Sequence, residues 1–261
     1  MSPTTLLLIV DPQIDFCHPA GALFVPGADK DIQRIVGMLE AKSSEIDQIV
    51  VTLDSHQVVD IAHPGYWSDE QGNHPTPFTT ISATDVINGR WIPAGEKEHA
   101  VRYLQTLEEQ GEFTHVIWPE HCLIGTPGHA IAPELGKALT DRARKTGKNH
   151  ITVIKGLNPD SEHFGIFEAQ VPVETDPETQ LNTRLLEKIG QYERILVCGE
   201  AKSHCVATSI KQLARYAPGL LPRVVLLSDC MSDVAGLGHL AHPIYEEAVS
   251  LGAQFLSSND L

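Results

Sequence analysis

The chain lacks long hydrophobic runs and is poor in basic residues. None of its apolar stretches approaches the ~18 residues that a membrane-spanning helix requires. Its 261 residues include 19 Lys and Arg against 34 Asp and Glu, which gives a formal net charge of −15. This charge disfavours nucleic acid and anionic membranes as partners, whereas a small neutral substrate is unaffected by it. The first apolar run has no basic region before it and leads into Asp11, so we predict no secretory signal and a cytoplasmic protein.

Cysteine is also scarce. The five cysteines are odd in number and irregularly spaced, at positions 17, 122, 198, 205 and 230, and they include no Cys-x-x-Cys pair. This pattern does not predict a disulfide framework. It fits a reduced compartment, in which a free thiol can serve as a nucleophile.

Strand-like and helix-like segments alternate along the chain. The alternation predicts an α/β fold with a doubly wound, mostly parallel sheet. Two domains would fit the length, but we predict a single domain over 1–261 with an inserted loop and helix at about 64–112. Strands are predicted near 5–11, 48–54, 114–118, 150–154, 193–199 and 222–228, with a further short strand at 253–257. Helices are predicted near 28–42, 96–109, 130–146, 181–190, 203–216 and 243–251.

Cys205 follows a strand-like run and a short turn, at the point where a helix is predicted to begin. Unpaired backbone N–H groups and the helix dipole favour a thiolate at such a position, and the thiolate is the nucleophilic form of cysteine. Cys205 is therefore a candidate nucleophile. On position alone, a buried structural cysteine fits equally well.

Two other apolar runs end on charged residues. The run 6–10 leads into Asp11, and the run 151–154 leads into Lys155. In a parallel sheet, ligands bind in the crevice at the carboxyl ends of the strands, so the acid, the amine and the thiol of Cys205 are expected to meet there. Asp11 would accept the thiol proton, and Lys155 would favour the charged forms.

At this point the chain resembles the isochorismatase-like cysteine hydrolases, and among them the nicotinamidase branch. The matching segments, spread over most of the chain, are Leu8-Ile-Val-Asp-Pro-Gln-Ile-Asp-Phe-Cys17, Gly21-Ala-Leu-Phe-Val-Pro26, Val51-Thr-Leu-Asp-Ser-His56, Trp118-Pro-Glu-His-Cys-Leu-Ile-Gly-Thr-Pro-Gly128, Lys155-Gly156 and Gly199-Glu-Ala-Lys-Ser-His-Cys-Val206. The resemblance implies a six-stranded sheet with helices on both faces and a catalytic triad of Asp11, Lys155 and Cys205. It also implies a cis Glu200–Ala201 peptide, with the N–H groups of Ala201 and Cys205 forming an oxyanion hole.

A second cluster of polar residues indicates a metal site. Asp54 and His56 stand two apart after a strand, so their side chains point to the same side, and His121 follows another apolar run. By the resemblance, Asp54, His56 and His121 hold a metal that binds a pyridine nitrogen, with His63 as a possible fourth ligand. Nitrogen and oxygen ligands suit Zn²⁺, Mn²⁺ or Fe²⁺, and we predict Zn²⁺. Without the resemblance, an Asp-x-His pair would more often be solvated surface.

Three residues are candidates for contact with a planar substrate. Phe16 and Trp118 adjoin motif residues and would sandwich a ring, although core packing is the commoner role of an aromatic residue. His163 stands where the family often has a tyrosine. The insertion would roof the pocket or form a contact in a homo-oligomer, and a tolerated surface insertion fits almost as well.

The sequence leaves three functions open. The first is a metal-dependent cysteine amidohydrolase that converts nicotinamide to nicotinate and ammonia through a thioester. The second is a cysteine amidohydrolase of the same fold that acts on an N-carbamoyl or ureido compound, and the third is a non-catalytic binding protein. The presence of Asp11, Lys155 and Cys205 disfavours the third function. The presence of Asp54, His56 and His121 favours the first over the second, so we expect a small amide as the substrate.

Overall fold

The computed structural model of the chain describes residues 3–111 and 114–261. Residue 112, the last of the predicted insertion, lies outside them. Six parallel strands form the main sheet, in the order β5-β2-β1-β6-β7-β8. They are β1 (Thr5–Val10), β2 (Gln48–Asp54), β5 (Ile151–Lys155), β6 (Arg194–Gly199), β7 (Val224–Leu227) and β8 (Gln254–Leu256). The predicted α/β fold with a doubly wound sheet is confirmed.

Helices cover both faces of this sheet. The α-helices of the described residues are α1 (Ile14–Cys17), α2 (Ala28–Lys42), α3 (Ala83–Ile87), α4 (Lys97–Gln110), α5 (Pro133–Thr146), α6 (Thr183–Ile189), α7 (Ala207–Tyr216) and α8 (His242–Ser250). Of these, α3 and α4 belong to the insertion and do not cover the sheet. Within the described residues, no helix combines the length and the apolar character that crossing a membrane requires.

The central strands are apolar at every position because both of their faces are buried. Alternate residues of a strand point to opposite faces. In β1, Leu6 and Leu8 pack with α7 and α8 on one face, whereas Leu7 and Ile9 pack with α2 and α5 on the other. The edge strand β5 differs from this pattern, since Ile154 is half exposed and only its inner residues are covered. An apolar run such as 151–154 is typical of a strand covered on both faces, but this edge strand is covered on one face only.

The predicted strand at 114–118 is not part of the sheet. This segment runs beside residues of the insertion: Ile117 donates a backbone hydrogen bond to Thr79, and Ile81 donates one to His115. The apolar pattern of the segment comes from burial of Ile117 against the insertion. Periodicity indicated a buried extended segment, but it could not indicate which neighbour the segment pairs with.

The insertion has a hydrophobic cluster of its own. Two short strands, β3 (Trp67–Ser68) and β4 (Ile92–Pro93), pair antiparallel. Helices α3 and α4 pack beside them around buried side chains that include Trp67, Tyr103 and Leu104. The helix predicted at 96–109 is α4. That the whole chain forms a single domain stays a prediction.

The strand order explains where a site can form. From β1 the chain adds β2 and then β5 on one side, and it returns to place β6, β7 and β8 on the other side. The order therefore reverses between β1 and β6. A crevice opens at such a switch point, at the carboxyl ends of the strands, and it is the usual ligand site of open α/β sheets.

Candidate active site

Four candidate residues lie at the carboxyl ends of adjacent strands. Asp11 follows β1, Asp54 ends β2, Lys155 ends β5, and Cys205 lies in the turn that joins β6 to α7. Because the strands are neighbours in the order β5-β2-β1-β6, the four side chains converge. Each is at most 5% exposed.

Lys155 is at the centre of this group. Its Nζ lies 3.0 Å from Oδ2 of Asp11, 2.8 Å from Oδ1 of Asp54 and 3.8 Å from Sγ of Cys205. It also donates a hydrogen bond of 2.8 Å to the carbonyl of His163. Burial opposes the charged ammonium, but the carboxylates of Asp11 and Asp54 outweigh burial and raise the pKa of Lys155 well above its usual value. Lys155 is therefore a fixed cation.

Asp11 is held in an unusual backbone conformation. Its φ of 41° lies in the left-handed region, which non-glycine residues adopt uncommonly and which strained residues at functional sites often occupy. Thr52 of the neighbouring strand holds it from both sides: the Thr52 hydroxyl donates to Oδ1 at 2.5 Å and accepts the Asp11 N–H at 3.0 Å. Burial raises the pKa of Asp11, and Lys155 opposes this shift in part. A carboxylate with a raised pKa is suited to accept a proton near neutral pH.

The surroundings of the Cys205 thiol oppose the thiolate that its position at the start of a helix favours. Burial raises its pKa well above the usual value, Lys155 counteracts this only in part, and Asp11 raises it further by charge and by a hydrogen bond. Position at a helix start could be read from the sequence, but desolvation could not. The thiol proton therefore already faces the carboxylate of Asp11.

The turn before Cys205 depends on a glycine. Gly199 has a φ of 108°, and a Cβ atom there would lie 2.1 Å from the carbonyl oxygen of Val10, so only glycine allows β1 and β6 to approach this closely. The next peptide, Glu200–Ala201, is cis, as the family resemblance implied. A single π-helical turn, Lys202–Val206, then leads into α7. The role of the Ala201 and Cys205 N–H groups as an oxyanion hole stays a prediction.

The four candidate metal ligands form one buried cluster. One ring nitrogen from each of His56, His63 and His121 lies within 4.8 Å of the others. Oδ2 of Asp54 lies 3.1 Å from Nε2 of His56 and 3.5 Å from Nε2 of His121. His63, the uncertain fourth ligand, lies in the cluster, with its Nε2 3.2 Å from Nδ1 of His121.

The second ring nitrogen of each histidine has a partner that orients the ring. Nδ1 of His56 faces Oδ2 of Asp60 at 3.0 Å, Nδ1 of His63 faces the carbonyl of Gln57 at 3.1 Å, and Nδ1 of His121 faces the carbonyl of Pro119 at 2.8 Å. Carboxylate and carbonyl partners of this kind orient metal-binding histidines. The donor set therefore fits a divalent transition metal.

The ionisation of the residues in the cluster also favours the binding of a cation. Burial and the neighbouring histidines lower the pKa of His63 to about 2, so its ring is neutral, as a metal ligand must be. Burial disfavours an ionised Asp54, but Lys155 and His56 outweigh burial and lower the pKa of Asp54 well below its ordinary value. Burial likewise opposes a charged His56, but Asp54 and Asp60 outweigh burial and raise its pKa. The carboxylates of Asp54 and Asp60 that favour a proton on His56 would equally favour a metal cation in the cluster.

Of the predicted substrate contacts, Phe16 lies beside the cluster. The Phe16 ring is buried, with its centroid 5.3 Å from that of His121. The Trp118 ring lies edge-on to Phe78 of the insertion and to His204. His163 contributes its carbonyl to Lys155, while its ring is buried.

Several residues that shape the site were not singled out from the sequence. They are Gln13, Thr52, Asp60, Glu162 and His204. Gln13 pairs with both backbone groups of Asp54, accepting its N–H and donating to its carbonyl at 2.7 Å each. Asp60 lies four residues after His56, and that spacing was the one available signal for it.

Comparison with known proteins supports the resemblance. No protein-family model matches the chain. It is 25% identical over 206 residues to the curated nicotinamidase of Saccharomyces cerevisiae, a match that covers 78% of the chain and 79% of the relative. It is 24% identical over 255 residues to the nicotinamidase of Acinetobacter baylyi, covering 98% of the chain and 93% of the relative.

Solved structures share the fold. The yeast nicotinamidase bound to the inhibitor nicotinaldehyde superimposes with a TM-score of 0.64 at 17% identity, covering 97% of this chain and all of that one. The pyrazinamidase of Pyrococcus horikoshii in complex with zinc superimposes with a TM-score of 0.57 at 20% identity, covering 98% and 99% of the two chains. The predicted isochorismatase-like fold is confirmed.

Proposed function

We propose that this chain, an isochorismatase-like amidohydrolase of the nicotinamidase branch, hydrolyses nicotinamide to nicotinate and ammonia with the help of a divalent metal, most simply Zn²⁺. The observation that carries the proposal is the direct contact between two groups. Asp11, Lys155 and Cys205 form a nucleophile with its base and cation, and Asp54, His56, His63 and His121 form a metal-binding set. Lys155 joins the two groups through Asp54.

In the first half-reaction, Asp11 accepts the proton of the Cys205 thiol while Sγ attacks the amide carbon. A C–S bond forms and the carbonyl electrons move onto oxygen, where the N–H groups of Ala201 and Cys205 are the candidate donors. The C–N bond then breaks, and the nitrogen takes the proton from Asp11 and leaves as ammonia. Lys155 keeps Asp11 oriented and favours the ionised carboxylate.

In the second half-reaction, Asp11 takes a proton from water, and the oxygen of that water adds to the thioester carbon. The C–S bond breaks, and the sulfur of Cys205 recovers the proton, which restores the starting state. A divalent cation bound by Asp54 and the three histidines would take the pyridine nitrogen of the substrate as a ligand and so fix the ring. Phe16 and Trp118 are the candidates to flank the ring.

Ammonia release from a panel of amides tests the proposal. We expect the zinc-loaded protein to hydrolyse nicotinamide at least about 10²-fold faster than benzamide, because only nicotinamide has a ring nitrogen that can fix its position. Cys205→Ala should abolish turnover, whereas Cys230→Ala, a change at a buried cysteine outside the site, should not. If an N-carbamoyl or ureido compound is hydrolysed and nicotinamide is not, the nicotinamidase assignment is wrong and the second function stands.

A further inference from the structure

Two buried carboxyl groups form a pair beside the turn that leads to Cys205, and they belong to neither the candidate triad nor the candidate metal cluster. Glu200, the first residue after β6, is 0% exposed, and Asp31 of α2 is 2% exposed. Their side chains form a hydrogen bond with each other. An ionised carboxylate can only accept a hydrogen bond, so one of the two acids must keep a proton.

The surrounding donors identify Glu200 as the protonated member of the pair. Oδ1 of Asp31 accepts from Nη1 of Arg34 at 2.9 Å, and Oδ2 accepts from the Ser232 hydroxyl at 2.5 Å, so Asp31 has the contacts of an ionised carboxylate. Oε2 of Glu200 accepts the Ser232 N–H at 3.2 Å, whereas Oε1 meets no donor within residues 3–111 and 114–261. Burial, together with the charge of Asp31, raises the pKa of Glu200 well above its usual value. The proton therefore belongs to Glu200, which donates it to Asp31.

The groups that face the pair favour this protonation state. They are Cys17 of α1, Arg34 of α2, Cys198 of β6, Cys230 and Asp233 after β7, and Tyr245 of α8. Burial raises the pKa of the three cysteines and of Tyr245, so these groups stay neutral near pH 7. Arg34 already pairs with Asp31, and the Lys202 ammonium lies over the Tyr245 ring. A charge on Glu200 would therefore be buried without a counterion, which is costly.

Ser232 connects the carboxyl pair to the turn on both sides of Ala201. Its N–H donates to Glu200, and its hydroxyl donates to Asp31. Its carbonyl accepts the N–H of Lys202 at 2.8 Å. Glu200 and Lys202 are the two neighbours of Ala201, whose N–H is a candidate oxyanion donor. The pair and Ser232 therefore hold the backbone of the turn against α2.

We propose that Asp31 and Glu200, through the proton they share, position the oxyanion hole by fixing the peptide that carries the Ala201 N–H. The inference rests on the proposed function, in which this N–H stabilises the oxyanion that forms when Sγ of Cys205 attacks an amide. Both acids act through the backbone of the turn, so they are positioning residues. Their loss should slow the step in which the oxyanion forms and leave the reactivity of the thiol itself unchanged.

Two reactions of the full-length, zinc-loaded protein separate these effects. Glu200→Leu should lower kcat at least about 10-fold with KM nearly unchanged, on whichever amide the wild type hydrolyses. Glu200→Gln should restore most of kcat, because its amide can donate to Asp31 and accept from Ser232. Alkylation of Cys205 by iodoacetamide, followed by mass spectrometry, forms no oxyanion and should proceed at nearly the same rate in all three proteins. Glu187→Leu, at an exposed glutamate of α6, is the control. An unchanged kcat in Glu200→Leu, or a parallel fall in kcat and alkylation, would overturn the proposal.

The shared proton is tested by urea unfolding, without turnover. An unfolded glutamate ionises near pH 4.3, whereas native Glu200 keeps its proton above that pH, so this group makes the protein less stable as the pH rises toward the native pKa. Between pH 5.5 and 6.5 it should raise the unfolding constant about 10-fold. This rise should be absent in Glu200→Gln, smaller in Asp31→Asn, which removes the charge beside Glu200, and retained in Glu187→Gln. Equal pH dependence in Glu200→Gln and the wild type would overturn the shared proton and the proposal with it. Since no amide is hydrolysed in this measurement, its result is independent of the nicotinamidase assignment.

Discussion

Lys155 Nζ lies 2.8 Å from Oδ1 of Asp54, so the candidate nucleophile and the candidate metal cluster share a buried ion pair. The other oxygen of Asp54 faces His56 and His121. Asp54 therefore contacts Lys155 of the candidate triad through Oδ1 and the candidate metal ligands through Oδ2. A substitution in the candidate triad should therefore affect the candidate metal cluster, and a substitution in the cluster should affect the triad.

Replacement of Lys155 tests this sharing. In metal-free protein, Lys155→Met leaves the buried carboxylates of Asp11 and Asp54 without their cation, so the free energy of unfolding should fall by about 3–5 kcal/mol. Zinc should restore more stability to the variant than to the wild type, because a divalent cation offsets the same negative charge. Urea unfolding with and without zinc measures both effects. Lys148→Met, at an exposed lysine, is the control, and equal losses in the two variants would exclude a shared ion pair.

Asp60 should set the metal affinity without touching the metal. Its carboxylate orients His56 through Nδ1, and loss of such a partner typically weakens metal binding 10–100-fold. We therefore expect Asp60→Ala to raise the zinc dissociation constant by roughly that factor, measured by competition with a chromophoric chelator. Asp260→Ala, at an exposed aspartate, should leave the constant unchanged. An unchanged constant in Asp60→Ala would mean that the three histidines are positioned without it.

Thr52 should act as a positioning residue for Asp11. Thr52→Val removes the hydroxyl that donates to Oδ1 and accepts the Asp11 N–H, so kcat should fall while KM stays nearly constant. Because that hydroxyl also lowers the pKa of Asp11, its loss should move the acid limb of the pH–rate profile to higher pH. Thr140→Val, at an exposed threonine of α5, is the control. A uniform loss of activity at every pH would indicate misfolding instead.

The sequence predicted most of the features that follow from the order of strands and helices along the chain. Asp11, Asp54 and Lys155 end apolar runs, and a parallel sheet brings the ends of its strands together. Their convergence was therefore predictable before any distance was known. The strand at 114–118 was predicted wrongly because its apolar residues pack on the insertion, and pairing partners are not encoded in periodicity.

Desolvation and hydrogen-bond partners were not predictable. The raised pKa of Cys205 results from its burial and from the nearby carboxylate of Asp11, which an argument from the helix start alone omits. The roles of Gln13 and Asp60 depend on contacts with Asp54 and His56 that only the folded chain defines. Residue type indicated which groups can react, and packing determines their protonation.

Buried histidines should make stability depend on pH. Burial lowers the pKa of His115 and of His204 to about 4 and that of His163 to about 3, whereas an unfolded histidine titrates near 6.5. Below that value the unfolded state binds protons that the native state does not, so each of these histidines removes stability as the pH falls. Between pH 7.5 and 5.5, one such histidine contributes a loss of about 1.4 kcal/mol.

His115 isolates this effect, because it lies outside the metal cluster and donates to the Ile61 carbonyl. Burial raises the pKa of Glu162 to about 7, and such buried acids add stability as the pH falls. The pH dependence of the unfolding free energy of the wild type alone therefore does not isolate the histidines. The comparison is therefore the loss of unfolding free energy between pH 7.5 and 5.5 in His115→Asn against the wild type. The variant should lose about 1.4 kcal/mol less, and His239→Asn, at an exposed histidine, should lose as much as the wild type. Equal losses in all three proteins would show that His115 is protonated in the native state at pH 5.5.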